Sequence, residues 1–429
     1  MTALSAFLNE YRDAFSRFSR PARHYLLGEL LAWTGHGIYQ VIFNLYLVDA
    51  GFNAAFIGRA ISMHGIGIAA AALPAGMLAD RWGRRRTLIL GALLDGLGMA
   101  VRTNVLHPGV ILGAGFVSGV GQSLLAIAAA PFLTENSTTR ERVHLFSAFF
   151  ANTLVAGVIG SLIGGWLPVG LHALPLAMRP DSLHAFRITL SVGAMFALIA
   201  SIPLIRLGPL QETSVHHGRE PIPAGAMRKL VPIALNSFLI GVGAGLVIPF
   251  MNLYFATRFQ CSSGQIGLFF SIAQICTAIA ALLGPVAARR FGKLRAAIGS
   301  ELMSLPFLVT LGAEQQLPIA VGAFWIRASL MQASTPLLQT FIMEALPPAL
   351  RARSTSLANL VWNAGWAVSA TLAGVAIQKF GYAVPFYITA GLYFCAASSF
   401  YLAFRRMPET AAAKEAEPAG LITPDPTPD

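Results

Sequence analysis

The chain is 429 residues long, 55% hydrophobic and only 11% charged, with a formal net charge of +11. A soluble domain carries about a quarter charged residues, so this composition excludes a water-soluble enzyme held by a single anchor. Cys261, Cys276 and Cys395, an odd few inside or beside apolar runs, likewise exclude a disulfide-stapled secreted scaffold.

At the start of the chain, Leu4, Phe7, Leu8, Tyr11, Phe15 and Phe18 recur at helical spacing opposite Arg12, Arg17 and Arg20. This predicts an amphipathic helix in the inner membrane interface, within a segment over 1–24. A hydrocarbon core of about 30 Å takes roughly 20 apolar residues of helix. Six segments of that kind follow: Tyr25 to Leu47, Ala55 to Met77, Thr87 to Val105, Gly109 to Leu133, Leu145 to Leu167 and Phe186 to Leu207. Six more run from Leu230 to Tyr254, Gln265 to Ala288, Leu294 to Leu311, Leu317 to Leu346, Ser354 to Ile377 and Val384 to Phe404. The two sets form units over 25–207 and 230–405, separated by a polar linker over 208–229 that carries Pro209, Pro221 and Pro223. The tail over 406–429, with Ala, Glu, Pro and Thr, is expected to be disordered. The expected fold is an all-α membrane protein of twelve transmembrane helices in two six-helix bundles. No cleavable signal peptide is expected, because the first apolar run starts at Tyr25 and leads into another span.

Basic residues are retained in the cytoplasm during insertion. With the N-terminus inside, most of the 30 Lys and Arg residues fall on that side. Arg81, Arg84, Arg85 and Arg86 follow the second span, and Arg289, Arg290, Lys293 and Arg295 follow the eighth. The positive charge is therefore a topology signal and implies no nucleic acid partner. The chain is expected to cross the plasma (inner) membrane many times, with both termini cytoplasmic.

The halves repeat. At an offset of 208, Gly35, Gly37, Asn44, Leu45 and Tyr46 match Gly243, Gly245, Asn252, Leu253 and Tyr254. At an offset of 209, Phe132, Glu135, Arg142 and Ser147 match Phe341, Glu344, Arg351 and Ser356. Six spans return the chain to its starting side, so the copies run parallel, one of the arrangements used by secondary transporters. Between the second and third spans stand Gly76, Asp80, Arg81, Gly83, Arg84, Arg85 and Arg86 in the order G-x-x-x-D-R-x-G-R-R-R. This loop resembles the signature of the major facilitator superfamily, and the resemblance covers the chain from the first span to the last. The second half keeps Gly284, Arg289, Arg290, Gly292 and Lys293 of it, without the acid. Gly76 and Gly83 are suited to a tight turn and close helix approach, and Asp80 to a neighbouring helix N-terminus. In the resembled family these contacts join the halves on the cytoplasmic side in the outward-open state. The resemblance thus implies a conformational gate in which Asp80 faces Ser354 and Arg84 pairs with Glu135.

Ionisable residues at membrane depth are functional hypotheses. At about 1.5 Å per residue, His36 in the first span and His64 in the second both lie near mid-membrane, where an imidazole can exchange protons. Arg327 in the tenth span needs an anion, and Glu301 in the ninth is its candidate partner, with an anionic substrate as the alternative. Asp95 and Arg102, seven residues apart in the third span, form a second candidate pair. Glu29 is assigned Arg23 or another neighbouring base. Spans 1, 4, 7 and 10 line the central cavity in the resembled fold. Their polar members His36, Gln122, Asn236, Arg327 and Gln332, with His64 of the second span and Trp362 of the eleventh, are the candidate binding residues. In the fifth span, Gly157, Gly160, Gly164 and Gly165 resemble an antiporter motif in which Ser161 replaces the proline, and the arginine common on span 4 of drug antiporters is missing.

No G-x-x-x-x-G-K-[ST] loop, metal-ligand spacing or nucleophile elbow occurs, so no cofactor, metal or enzymatic activity is expected. The leading expectation is a proton-coupled secondary carrier working by alternating access, acting as a monomer in the lipid bilayer on a small-molecule solute. Export of a hydrophobic or amphiphilic compound is placed ahead of uptake of a sugar or other metabolite. A non-transporting receptor or assembly factor on the same scaffold is the third reading.

Overall fold

A computed structural model describes residues 18–175, 179–207 and 227–406. The expected interfacial helix up to residue 17, the linker over 208–226 and the tail over 407–429 lie outside the described residues.

The first bundle contains α1 (Arg20–Asp49), α2 (Ala54–Trp82), α3 (Arg84–Asn104), α4 (Pro108–Glu135), α5 (Thr139–His172) and α6 (Ser182–Ile199, continued by Ser201–Ile205). The second contains α7 (Met227–Val247, continued through a 3-10 turn at Ile248–Phe250 into Met251–Arg258), α8 (Ser263–Phe291), α9 (Lys293–Ala313), α10 (Leu317–Ala345), α11 (Pro348–Phe380) and α12 (Ala383–Phe404). Several helices run past the apolar segment that marks them in sequence. Thus α1 starts at Arg20, where Ser19 caps it by accepting from the Ala22 amide at 3.3 Å and Pro21 fits the first turn. Among the described residues, nine of the passes are long and apolar enough to cross a membrane by length and composition. The three that fall short are α1, α3 and α10, the helices that carry His36, Asp95 with Arg102, and Arg327.

The internal repeat survives in three dimensions. Gly83 and Gly292, each with φ near the left-handed region at 88° and 83°, make the turn from α2 to α3 and from α8 to α9. Tyr46 donates its hydroxyl to the Thr103 carbonyl, and its counterpart Tyr254 donates to the Leu311 carbonyl.

The two bundles meet closely at the end where α1 finishes and α2 begins, here called the far end. There a single hydrophobic core runs through both halves, including Ile42, Tyr46 and Ile57 from one and Phe250, Phe255 and Ala373 from the other. Toward the opposite, basic end it divides into two separate cores. One surrounds Tyr25, Leu88 and Phe132, and the other surrounds Ile233, Phe341 and Phe400. At the seam between α5 and α8, a Cβ on Gly165 would lie 2.8 Å from the Gly267 Cα, so neither position admits a side chain without separating the bundles. Ser62 of α2 donates to the Ala367 carbonyl of α11, and Ser271 of α8 reaches the Val158 carbonyl at 3.2 Å. The bundles are therefore closed from the far end to about mid-depth and parted at the basic end.

Candidate functional site

The mid-depth polar groups of the first bundle converge on Asp95. Its carboxylate is fully buried, with Oδ2 2.7 Å from His36 Nε2 and Oδ1 accepting from Ser118 Oγ at 2.6 Å. Three helices, α1, α3 and α4, thus supply one hydrogen-bonded cluster. His64 of α2 stands beside it, with its ring centroid 6.3 Å from that of His36 and its buried Nδ1 without a hydrogen-bond partner. Trp33, one turn earlier on α1, lies 5.6 Å from the His36 ring.

The expected pair of Asp95 with Arg102 is not formed. Seven residues of helix separate them by about 10 Å of rise, and Asp95 is turned to His36 and Ser118 instead. Arg102 lies over the rings of Tyr39 and Phe43, 4.7 Å from each centroid. Those ring faces attract the guanidinium through their quadrupoles.

His36 and Gln122 line one pocket, together with Tyr25, Glu29, Trp33 and Phe149. Its empty volume is about 690 Å³, and its remaining walls are Gly, Ala and Leu from α1, α3, α4 and α6. Gly28, Ala129 and Leu204 place it in the basic-end half of the bundle, while the shared core closes the far end above it. Glu29 lacks the basic partner expected for it, because Arg23 is exposed. Its Oε1 accepts from Thr153 at 3.5 Å, and its Oε2 has no hydrogen-bond partner.

Arg327 does not join this pocket. It is buried in the second bundle, where its guanidinium donates to the Tyr393 hydroxyl of α12 at 3.2 Å. Nor does it pair with Glu301, whose Oε1 accepts from Ser334 at 3.2 Å. Glu301 Oε2 and Arg327 Nε both lack hydrogen-bond partners. Asn236 is buried with its Oδ1 unpartnered, Gln332 is exposed, and Trp362 stacks on Trp366 with centroids 5.1 Å apart. None of these three lines the pocket either.

At the basic end, Arg84 Nε donates to both oxygens of Glu135, at 2.7 and 2.9 Å. Lys293 and Glu344, which occupy the same places in the second half, form the matching bond. Asp80 and Arg81 are exposed, and no hydrogen bond or ion pair joins Asp80 to Ser354 among the described residues, whose hydroxyl bonds to the Arg351 carbonyl instead. A Cβ on Gly76 would meet nothing within 4 Å, so the close approach expected there is not made. Both departures follow from the parted basic end.

Sequence reasoning passed over Ser118, Tyr393 and Thr153. Each is a single hydroxyl in an apolar helix, a common residue with no motif around it. The available signal was their depth: a polar residue near mid-span, opposite a charge on an adjacent span.

The sequence model described as Major Facilitator Superfamily matches residues 25–230 and 233–426. A curated relative, the multidrug resistance protein MdtG of Proteus mirabilis (strain HI4320), is 24% identical over 400 residues, spanning 88% of this chain and 94% of its own length. A crystal structure of the nucleoside transporter NupG superposes with a TM-score of 0.73 at 15% identity, over 90% of this chain and all of the other. A crystal structure of a D-xylose-proton symporter gives 0.70 at 17% identity, over 89% and 97%. The last two establish likeness of fold.

Proposed function

The chain belongs to the major facilitator superfamily, and from that premise we propose that this transporter is a proton-coupled secondary carrier exporting a hydrophobic or amphiphilic compound. The observation that carries the proton reading is His36, which lines the pocket and is hydrogen-bonded behind it to the buried Asp95, itself held by Ser118. A protonated imidazole balances the carboxylate, and once that proton leaves, the remaining N–H and the Ser118 hydroxyl still hydrogen-bond the buried anion. With the basic end taken as cytoplasmic, as the positive-inside rule favours, the pocket and its His36 face the cytoplasm in the present state. Rocking of the 25–207 unit against the 230–405 unit would then expose them to the other side. The apolar, aromatic pocket beside the cluster favours an amphiphilic solute over a polyhydroxylated one, and the name of the MdtG relative points the same way.

Arg84 with Glu135, and Lys293 with Glu344, are assigned to the cytoplasmic gate together with Asp80, which is free in the open state and engages when that end closes. The test is reconstitution in liposomes with an imposed pH gradient, scanned against amphiphilic drugs, sugars and organic anions. Gradient-driven movement of the amphiphiles, lost in Asp95→Asn, is expected. Gradient-driven uptake of a sugar would assign the opposite substrate class and direction. Absence of all gradient-dependent movement would remove the proton coupling.

A further inference from the structure

Glu29 is unused by the mechanism above, and its surroundings are unusual for a buried acid. It is 8% exposed, one carboxylate oxygen has no hydrogen-bond partner, and it lines the pocket. No lysine or arginine lines that pocket with it. The Tyr25 hydroxyl, the Trp33 N–H and the Thr153 hydroxyl face Glu29 as donors, but none is a cation, and a buried carboxylate without a counter-charge is costly, so a proton or an external cation completes the site.

The walls select the kind of cation. Tyr25, Trp33 and Phe149 present aromatic surface, with the Tyr25 and Phe149 rings stacked at 6.2 Å between centroids. Ring faces attract cations, most strongly where water is excluded. Hard inorganic cations need a shell of several oxygen ligands, whereas the rest of this lining is Gly, Ala and Leu apart from Gln122 and His36.

We propose that this pocket binds a lipophilic organic monocation, an ammonium or phosphonium with an apolar body, with Glu29 as its counter-ion and Tyr25, Trp33 and Phe149 as its aromatic walls. This names the substrate class of the exporter proposed above and rests on that reading. It also supplies a reason for exchange. His36 follows Glu29 by seven residues on the same helix, about 10 Å along the axis. A positive charge on His36 and a cation at Glu29 repel, most strongly once the pocket is closed from water, so protonation of the first favours release of the second.

The test uses the purified full-length protein and two probes of equal shape and opposite charge, tetraphenylphosphonium and tetraphenylborate, with binding read by equilibrium dialysis and by quenching of tryptophan fluorescence. The unmodified protein should bind the phosphonium at least tenfold more tightly than the borate. Glu29→Gln should erase that preference by weakening phosphonium binding at least tenfold, while Glu29→Asp retains part of it. Equal binding of the two probes by the unmodified protein overturns the proposal, and this comparison does not depend on any variant folding. Phosphonium binding by a folded Glu29→Gln protein at the original affinity overturns it as well. Gradient-driven export of a neutral amphiphile without phosphonium binding would refute the substrate class and leave the carrier reading standing. Phosphonium binding with no gradient-driven movement of any compound would leave the site and refute the carrier reading.

Discussion

Asn44 and Asn252, equivalent residues of the two halves, hydrogen-bond to each other across the seam between the bundles. Asn44 Nδ2 donates to Asn252 Oδ1 at 2.9 Å and to the Pro249 carbonyl at 2.6 Å. Asn252 Nδ2 in turn donates to the Val41 carbonyl at 3.0 Å and lies 3.1 Å from that of Gln40. The 3-10 turn at Ile248–Phe250 interrupts the α7 ladder there, which leaves the Pro249 carbonyl able to face α1. Both amides are buried, at 4% and 1% exposure, so an unpaired partner gains little from water.

Loss of this latch should open the far end. Each net hydrogen bond contributes about 1 kcal/mol, so Asn44→Ala, which removes two, should shift the balance of states by roughly tenfold or more. A cysteine placed at Asp49, exposed at the end of α1, can carry a spin label paired with one at Arg258, exposed at the end of α7 in the facing half. Their mean distance should lengthen in Asn44→Ala and in Asn252→Ala. An unchanged distance distribution in both would refute the latch.

The His36 and Asp95 pair makes a prediction that separates coupling from transport. Asp95→Asn keeps the size of the side chain and its bond to Ser118 but removes the charge that faces the imidazole. Exchange of labelled substrate for unlabelled substrate across liposomes should persist, while pH-gradient-driven accumulation should fall by at least tenfold. His36→Ala should be harsher, because it strands a fully buried carboxylate, a change that costs about 3–5 kcal/mol when one partner of a buried pair is removed. A lowered melting temperature in His36→Ala beside a nearly native one in Asp95→Asn is the expected pattern.

The gate pairs differ in a way the repeat conceals. Arg84 grips both oxygens of Glu135 in a pair exposed by only 18% and 13%, whereas Lys293 and Glu344 are exposed by 25% and 34%. A charge-assisted bond mostly out of water is worth more than one nearer the surface. Glu135→Gln should therefore cost about 1–3 kcal/mol, and Glu344→Gln at most about 1 kcal/mol. Thermal melts in the same detergent should rank them in that order, and equal losses would contradict it.

These pairs also mark how far the sequence could be read. Twelve helices are legible because a run of about 20 apolar residues has few alternatives in a membrane. The Arg84–Glu135 pair is legible because the signature loop sets Arg84 beside the end of the fourth span, whereas the contact of Asp80 with Ser354 expected beside it is not made in the parted state. The cluster around Asp95 is not legible. Spacing along one helix suggests Arg102 as a partner, but it cannot report which face of α3 meets α1 and α4, and that rotation delivers His36 and Ser118. The same blindness applies to Glu301, whose acceptor role goes to Ser334. Charge complementarity between neighbouring spans proposes partners, whereas packing chooses among them.

Arg327 tests that distinction directly. With no acid bonded to it, its charge is held by the Tyr393 hydroxyl at 3.2 Å and by the ring of that residue, 5.8 Å away. Replacing a buried charge by an apolar side chain of similar volume is often neutral or stabilising, so Arg327→Met should lower stability by no more than about 1 kcal/mol. Combining it with Glu301→Gln should show little interaction: residues without a shared bond couple by less than about 0.5 kcal/mol. Tyr393→Phe removes the one hydroxyl that Arg327 reaches, and it should cost more in the presence of Arg327 than in Arg327→Met. A coupling of several kcal/mol between Glu301 and Arg327 would instead mean that the two meet when the basic end closes, because in the present arrangement neither side chain hydrogen-bonds to the other.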